Sequence, residues 1–431
     1  MSGNITDTLE SLEGLVSRYG VVSATKARPK GSSAHCAHRT VSQIGTGVAG
    51  RGLTTKYHTI CGGASLHDAD LARLVAIAEG AERYAGMVPV GDESIVASAA
   101  ELGGDCLDPA RYPRCSTAEY AHPACSVVPF DDTAEIRWVR GWDLIESRQL
   151  WVPAVMAAYA GTDMPAEKFA YQISTGYAVH TDPVEAAVRG ICEVIERDAI
   201  AVLWLQRLPI PRLREDITTD AMADIVEWFE RRFTRIHLFD ATTDLGLPTV
   251  YAVAAADEDE RACRYVSCGT GRSLAAAAES ALLETAGGDA LIHGEEPVTK
   301  LEEIRGSIGE ASRYMAARER AHAFDFLTAA GRTSPREARD GLPESPDAAL
   351  AVLKERLAAA GMQVAVVDRT TEELSGVGLT AMNVVIPDLQ PMSTNPWVQF
   401  KGHGRLYSSP RLMGYRVLPE EELNPWPQPF A

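Results

Sequence analysis

The chain has 431 residues, 46% of them apolar and 23% charged, with a formal net charge of −18. This length buries a large core, and the composition is that of a globular protein. The negative charge argues against non-specific binding to nucleic acid or to an anionic membrane. No apolar run reaches the ~18 residues of a membrane span, and the first residues lack the basic and apolar regions expected of a signal peptide. Eight cysteines without a Cys-x-x-Cys pair indicate free thiols. The sequence therefore predicts a cytoplasmic protein.

Hydrophobic periodicity places alternating helices and strands along the chain. It predicts helices over 5–19, 66–85, 220–234 and 347–360, and strands over 135–142, 149–158, 235–240, 248–256, 362–367 and 380–386. Residues 100–135 are rich in Pro, Cys and Asp without a period, which predicts a long excursion over the surface. The charged stretch 295–345 predicts exposed helices, with a lid as the alternative.

The most informative motif is Glu-x-x-Glu-Arg, which occurs at Glu79–Arg83 and again at Glu193–Arg197. On a helix the two carboxylates and the guanidinium share one face. Apolar residues around the second copy predict a buried helix, and buried carboxylates need compensation. Carboxylates from two or three helices suit Mg²⁺, which binds through a few carboxylates plus substrate phosphates. A solvated face with i,i+4 ion pairs remains the alternative.

A glycine-rich turn, Ser174-Thr-Gly-Tyr, precedes the helix that carries the second copy. Asp182 is a predicted N-cap, with Pro183 at the first helical position and Glu185 at the third. The same order of strand or turn, glycine-rich loop and Ala-rich helix with glutamates occurs three times. Each such turn places backbone N–H groups at a helix N-terminus, which favours phosphate oxygens.

The last seven residues alternate proline at Pro425, Pro427 and Pro429. This spacing predicts a stiff polyproline II segment. Such a segment is able to hold the α-carboxylate of Ala431 at a fixed point. A disordered or packed-down tail is the alternative.

On these residues the chain resembles the YcaO-domain family, in its azoline-forming cyclodehydratase (D-protein) branch of thiazole/oxazole-modified peptide biosynthesis. The resemblance covers nearly the whole chain. Its carriers are Glu79–Tyr84, Ser174–Ala186, Glu193–Asp198, Gly269-Thr-Gly271 with Glu284, Gly404–Gly414 and the proline-rich ending at 425–429. The sequence departs from the family pattern at Ala64, Thr181 and Ser280.

The resemblance implies an α/β (α+β) fold with mixed sheets packed by Ala-rich helices. It implies a YcaO-type ATP-binding catalytic domain over 61–431, with 1–60 as a part of the fold too short for a leader-binding module. Glu79, Glu82, Glu193 and Glu196 would bind Mg²⁺ and, with Ser174, Glu185 and Arg197, ATP. Pro425, Pro427, Pro429 and Ala431 would be catalytic.

The implied activity is an ATP-dependent cyclodehydration, in which Cys, Ser or Thr of a ribosomal precursor peptide becomes thiazoline or oxazoline after phosphorylation of the backbone amide oxygen. Thioamide or amidine formation is an alternative within the family, and a non-catalytic peptide-binding scaffold is an alternative outside catalysis. The expected partners are the precursor peptide and a separate E1-like leader-binding protein, with a flavin dehydrogenase and a homodimer as further candidates.

Overall fold

The structure is a computed structural model, which describes residues 5–28, 36–45, 60–89, 94–158, 162–307, 309–328, 331–337 and 341–430. The chain divides into two compact units. The first comprises Met1–Tyr112, Ser126–Val194 and Ser345–Asp388, and the second comprises Pro113–Cys125, Ile195–Glu344 and Leu389–Ala431. No helix in the described part of the chain is both long and apolar enough to cross a membrane.

The first unit contains two antiparallel sheets with helices packed on them. The strands are β1 (Val22–Arg28), β2 (His38–Ile44), β3 (Ile60–Ser65), β4 (Ile95–Ala97), β5 (Ile136–Asp143), β6 (Arg148–Pro153), β7 (Tyr177–His180), β11 (Ala365–Asp368) and β12 (Thr380–Val385). One sheet has the order β1-β2-β3, and the other has β4-β5-β11-β12-β7, with β6 paired to β5. The helices are α1 (Ile5–Leu12), α2 (Ala69–Met87), α3 (Ala99–Leu102), α5 (Ala154–Ala157), α11 (Pro346–Ala359) and α12 (Glu372–Gly376).

The second unit is built around a three-stranded antiparallel sheet, β10-β9-β8. These strands are β8 (Arg235–Asp240), β9 (Thr249–Ala255) and β10 (Arg264–Thr270). Its helices are α4 (Thr117–Ala121), α7 (Asp220–Glu230), α8 (Leu274–Gly294), α9 (Glu310–Ala316), α10 (Asp325–Thr328) and α13 (Arg405–Leu412). The long helix α6 (Pro183–Leu205) contributes its first half to the first unit and its second half to the second.

The three helices that carry glutamates each start at a side chain that caps the helix, and the sequence predicted one of these caps, at Asp182. Asp68 Oδ1 accepts from the backbone N–H of Asp70 (2.8 Å), Asp182 Oδ1 from Val184 (2.8 Å), and Ser273 Oγ from Ala276 (3.2 Å). These bonds satisfy N–H groups that have no intrahelical partner. The predicted N-cap at Asp182 is confirmed.

Two strand glycines let helices α2 and α8 lie directly on the strands that precede them. A Cβ added at Gly63 on β3 would lie 2.1 Å from the backbone oxygen of Ala72 on α2. A Cβ at Gly269 on β10 would lie 2.6 Å from the backbone oxygen of Ala277 on α8. Any side chain there would push the helix away, so glycine sets the strand–helix distance in both units.

Two sequence predictions about exposure hold only in part. Many residues of 100–135 are exposed, but Cys106, Leu107 and Tyr112 are buried in the first unit's core beside Trp138 and Phe169. Within 295–345 the part 309–327 is packed, since Tyr314, Met315, Phe324 and Leu327 are buried there, whereas many of the other described residues are exposed. In both cases isolated apolar residues fill the core without a helical or strand period that would reveal them.

Candidate functional site

Two glutamates of the first unit are anchored to main-chain N–H groups of glycine-rich segments. Gly62 on β3 donates its N–H to Glu79 Oε2 on α2 (2.8 Å). Gly176, just before β7, donates to Glu193 Oε2 on α6 (2.9 Å). Each glutamate thus receives a charge-assisted hydrogen bond from the segment that precedes its own helix. Both carboxylates are therefore fixed in position, although neither residue is fully buried.

Arg83 joins the first Glu-x-x-Glu-Arg motif to the glycine-rich turn. Its Nη2 lies 3.3 Å from Glu79 Oε1, and its Nη1 donates to Ser174 Oγ (2.7 Å). Glu79, Arg83 and Ser174 are therefore brought together within the first unit. The sequence predicted Glu79 and Ser174 as site residues but gave no role to the arginine between them.

The carboxylate of Glu82 raises the pKa of two neighbouring groups in the first unit, the Cys61 thiol and the Tyr177 hydroxyl. Burial raises the pKa of the Cys61 thiol, and the carboxylates of Glu79 and Glu82 raise it further against the opposing charge of Arg83. Burial also raises the pKa of Tyr177 to about 12, with Glu82 adding to that rise and Arg369 opposing it. The carboxylate of Glu82 therefore lies in the same negative region as Glu79.

Glu185 lies in the first turn of α6, where negative charge is favoured by the helix dipole. It is buried, and its Oε1 accepts from Arg189 Nε (3.1 Å) one turn along the helix. The pKa of nearby His180 is lowered by burial first and by Arg189 second. Glu185 thus already has a cationic partner on its own helix.

Glu196 repeats the glutamate-to-strand bond in the second unit. Thr270, at the end of β10, donates both its backbone N–H (2.7 Å) and its Oγ1 (2.9 Å) to Glu196 Oε2. Arg197 Nη1 contacts Met392 Sδ at 3.3 Å. Burial raises the pKa of the Cys268 thiol on β10, and the carboxylates of Glu196 and Glu284 add to the rise.

The proline-rich tail packs into the second unit. Pro427, Gln428, Pro429 and Phe430 are buried, whereas Pro425 is exposed. Trp204 Nε1 donates to the carbonyl of Trp426 (3.0 Å), and the rings of Phe430 and Tyr251 meet edge to face at 5.5 Å. The tail is therefore packed down, as in the alternative given from the sequence, and its four consecutive residues 427–430 are buried in the second unit. Ala431 lies outside the described residues.

The donor set fits magnesium and phosphate rather than a closed metal cage. In the part of the chain that the structure describes, no group of three or more His, Cys, Asp and Glu side chains is arranged to hold a metal ion. Mg²⁺ does not need one, since it takes one or two carboxylates and completes its shell with water and substrate phosphates. In the first unit Glu79 and Glu193 each offer such an oxygen donor, and in the second unit Glu196 offers one.

Some residues of the site were not found from the sequence. The N–H donors at Gly62, Gly176 and Thr270 are main-chain groups. The turns Ser174-Thr-Gly-Tyr and Gly269-Thr-Gly271 indicated such donors, but as partners of phosphate oxygens rather than of the glutamates. A buried ion pair in the second unit was not predicted either. Arg405 Nη2 lies 2.7 Å from Oδ2 of Asp198, the residue that follows Arg197. Both residues stand within quoted motifs, but the spacing between them gave no indication that they meet.

Comparison with solved structures shows the fold. A heterocyclase in complex with substrate and cofactor is 21% identical, with a TM-score of 0.84 over 99% of this chain and 57% of its own. YcaO from Methanopyrus kandleri, bound with AMPPCP and Mg²⁺, is 21% identical, with a TM-score of 0.62 over 89% and 91%. The E. coli microcin synthetase McbBCD complex with pro-MccB17 bound is 16% identical, with a TM-score of 0.61 over 94% and 96%.

The heterocyclase matches 99% of this chain, but this chain spans only 57% of the heterocyclase's length. A family model described as YcaO cyclodehydratase, ATP- and Mg²⁺-binding, matches residues 65–390, which is most of the chain. The α/β fold and the resemblance stated from the sequence are confirmed. The chain belongs to the YcaO cyclodehydratase family.

Proposed function

We propose that this chain is an ATP- and Mg²⁺-dependent cyclodehydratase that converts Cys, Ser or Thr of a ribosomal precursor peptide to thiazoline or oxazoline. One observation carries the proposal. Glu79, Glu193 and Glu196 each accept a main-chain N–H from a glycine-rich segment, in a chain of a family described as binding ATP and Mg²⁺. Fixed carboxylates beside main-chain donors suit a phosphate–magnesium site.

In this proposal Glu79, Glu82, Glu193 and Glu196 are the magnesium ligands. The bound ion would neutralise charge on the phosphates during transfer. Ser174, Glu185 and Arg197 would contact the nucleotide, Arg197 as a cation for phosphate oxygens. The hydrogen bonds to Gly62, Gly176 and Thr270 keep three of the carboxylates oriented, so little reorganisation is needed during the reaction.

The proposed reaction begins when the peptide's Cys, Ser or Thr side chain attacks the preceding backbone carbonyl carbon and loses its proton. The carbonyl oxygen then takes the γ-phosphoryl group of ATP, and ADP leaves with the bridging oxygen. Loss of phosphate and of the amide proton forms the ring's C=N bond, so one water equivalent leaves the peptide for each ATP consumed. Pro425, Pro427 and Pro429 would direct the α-carboxylate of Ala431 to this centre as a base.

The organisation proposed for the chain is a catalytic domain over 61–431, with residues 1–60 as part of its fold. The precursor peptide would be recognised with the help of a separate leader-binding protein. The similarity to a chain of the microcin synthetase complex supports a multi-protein assembly. A flavin dehydrogenase that oxidises the rings would be a further partner, and the cytoplasm the compartment.

The test is peptide-dependent ATP turnover by Glu79→Gln and Glu196→Gln variants. Each should fall by about 10²- to 10³-fold, because a carboxylate that stabilises the transferring phosphoryl group becomes neutral. Glu227→Gln is the control, since Glu227 is an exposed partner of Arg231 and should keep full turnover. Retained turnover in both site variants would contradict the proposal.

Mass spectrometry of the peptide product separates the chemistries. Azoline formation removes one water per ring, thioamide formation replaces oxygen by sulfur, and amidine formation joins an amine to the former carbonyl carbon. A scaffold would leave the peptide unchanged and would show no peptide-dependent ATP turnover.

A further inference from the structure

Residues 389–400 of the second unit are an irregular segment buried in the protein. They form no helix or strand, yet Gln390, Ser393 and Gln399 are each at most 3% exposed. A buried irregular segment is unusual, because its backbone polar groups must find partners other than those of a helix or sheet. Here side chains supply several of those partners, and we call residues 389–400 the buried segment.

The first end of the buried segment is attached beside the helical turn of α6 that contains Glu196 and Arg197, which we call the Glu196–Arg197 turn. The backbone N–H of Gln390 donates to Asp198 Oδ1 (2.8 Å). Asp198 is fully buried and is held by Arg405, whose Nε and Nη2 both donate to its carboxylate. Arg405 Nη1 also donates to Asp244 (2.8 Å). Two carboxylates therefore balance one buried guanidinium, which fixes the residue that follows Arg197.

The second end of the buried segment is fixed at Gln399. Glu119 accepts the backbone N–H groups of Gln399 (2.6 Å) and Lys401 (2.8 Å). Between them Phe400 has φ = 52°, in the left-handed region that a bulky side chain rarely adopts. Such backbone strain persists only where the surroundings impose it, and here the two bonds to Glu119 hold the backbone on both sides of Phe400.

The side chain of Gln390 connects the second end of the buried segment to its first end, and the side chain of Gln428 connects the second end to the proline-rich tail. Gln390 Nε2 donates to the carbonyls of Gln399 and Phe400, both at 3.1 Å. On the tail, Gln428 Nε2 donates to Gln399 Oε1 (2.8 Å). Within the described residues the Oε1 atoms of Gln390 and Gln428 have no hydrogen-bond partner. A buried acceptor without a partner costs free energy, and apolar residues in place of Gln390 and Gln428 would avoid that cost. The two glutamines are therefore better explained by the positions that their hydrogen bonds fix than by stability.

We infer that Gln399 is a positioning residue that holds the proline-rich tail at a fixed place relative to the Glu196–Arg197 turn, through Gln390 and the buried Asp198–Arg405 pair. The inference rests on the proposed function, in which the turn binds magnesium and nucleotide and the tail acts on the peptide. The tail and the turn then move as one body, and a side chain that touches neither substrate sets the distance between them.

The test replaces Gln399 by methionine in the full chain, which keeps the side-chain volume and removes its hydrogen bonds. The matched control is Gln206→Met. Gln206 is also a buried glutamine of the second unit, and its side chain bonds the backbone N–H and carbonyl of Leu418. Both variants lose comparable bonds and should lose comparable thermal stability.

The structural readout is amide hydrogen exchange measured by mass spectrometry. In Gln399→Met, exchange of residues 424–430 and of the buried segment should rise about 10-fold over wild type, because the link between them is lost. In Gln206→Met these regions should exchange as in wild type. Gln428→Met cuts the same link from the tail and must reproduce the Gln399→Met pattern. Equal exchange in Gln399→Met and Gln206→Met would overturn the inference.

The kinetic readout separates positioning from stability. In Gln399→Met the kcat for ring formation should fall about 100-fold, as expected for a displacement of about 1 Å, while the KM for ATP stays within about 2-fold of wild type. Parallel losses in Gln399→Met and Gln206→Met would overturn the inference. If wild type modifies no peptide, the proposed function fails, and hydrogen exchange still decides whether the tail is held through Gln399.

Discussion

Glu79 in the first unit and Glu196 in the second make the same bond in different surroundings. Each accepts a main-chain N–H from a strand, at 2.8 and 2.7 Å. Glu79 is partly exposed and is paired with Arg83, whereas Glu196 is buried and takes a second hydrogen bond from the Thr270 hydroxyl. The shared element is therefore the anchoring of a carboxylate on a strand N–H.

The cationic neighbours of the two glutamates differ more strongly. Arg83 is a part-exposed partner that also bonds Ser174. In the second unit the strong ion pair is formed one residue beyond Arg197, where Asp198 meets Arg405 out of contact with water. A glutamate bonded to a strand N–H is thus found beside a solvent-screened ion pair in one unit and beside a buried ion pair in the other. Removing the arginine should therefore lower the free energy of unfolding by different amounts in the two units.

The largest expected effect is on stability, in Arg405→Ala compared with Arg83→Ala. Removing Arg405 leaves Asp198 and Asp244 without their buried cation, which should lower the free energy of unfolding by about 3–5 kcal/mol. Arg83→Ala should cost at most about 1 kcal/mol, because its pair is screened by solvent. Urea denaturation measures both. Arg214→Ala, which removes an exposed pair with Asp216, is the control, and equal losses at Arg405 and Arg83 would contradict the comparison.

Gly63→Ala and Gly269→Ala should have the next largest effects. Each new Cβ would meet helix backbone, at 2.1 Å for Gly63 and 2.6 Å for Gly269. The helix must then shift, and we expect a loss of about 2–3 kcal/mol, larger for Gly63. Thermal and urea denaturation test the order. Gly376→Ala should be neutral, since nothing lies within 4 Å of the position of its added Cβ, and a neutral Gly63→Ala would show that α2 adjusts freely.

The smallest expected effect concerns the buried thiols Cys61 and Cys268, one in each unit. Burial raises the pKa of both, and the carboxylates of Glu79 and Glu196 add to the rise. The folded protein therefore keeps these protons while the unfolded chain releases them, so stability falls as pH rises above the unfolded pKa. Between about pH 8 and about pH 9.5, the free energy of unfolding should fall by about 1 kcal/mol less in Cys61→Ala and in Cys268→Ala than in wild type. Denaturation at the two pH values measures it, and an unchanged fall would mean that the thiol ionises in the folded state.

Local patterns in the sequence predicted the elements that carry the site. The strands at 235–240, 248–256 and 380–386 are confirmed almost to the residue, as is the helix at 347–360. The helix predicted over 66–85 runs from Ala69 to Met87, because Asp68 caps its start. Caps, glycine turns and apolar periodicity depend on neighbouring residues, so they are readable without the tertiary structure. The roles of Glu79, Glu82, Glu193 and Glu196 remain predictions.

Contacts between distant residues were decided only by the tertiary structure. Asp198 and Arg405 are 207 positions apart, and Gln399 reaches Gln428 and Glu119 across 29 and 280 positions. No local pattern indicates such pairs, because a polar residue that is buried and satisfied looks like an exposed one in sequence. The burial of residues 106–112 and of the tail was hidden for the same reason. The sequence by itself determined which helices bear the carboxylates, since helix periodicity and capping act within a few residues. Folding decided which distant groups hold them, because a buried charge or amide is stable only beside a partner that the chain must bring from elsewhere.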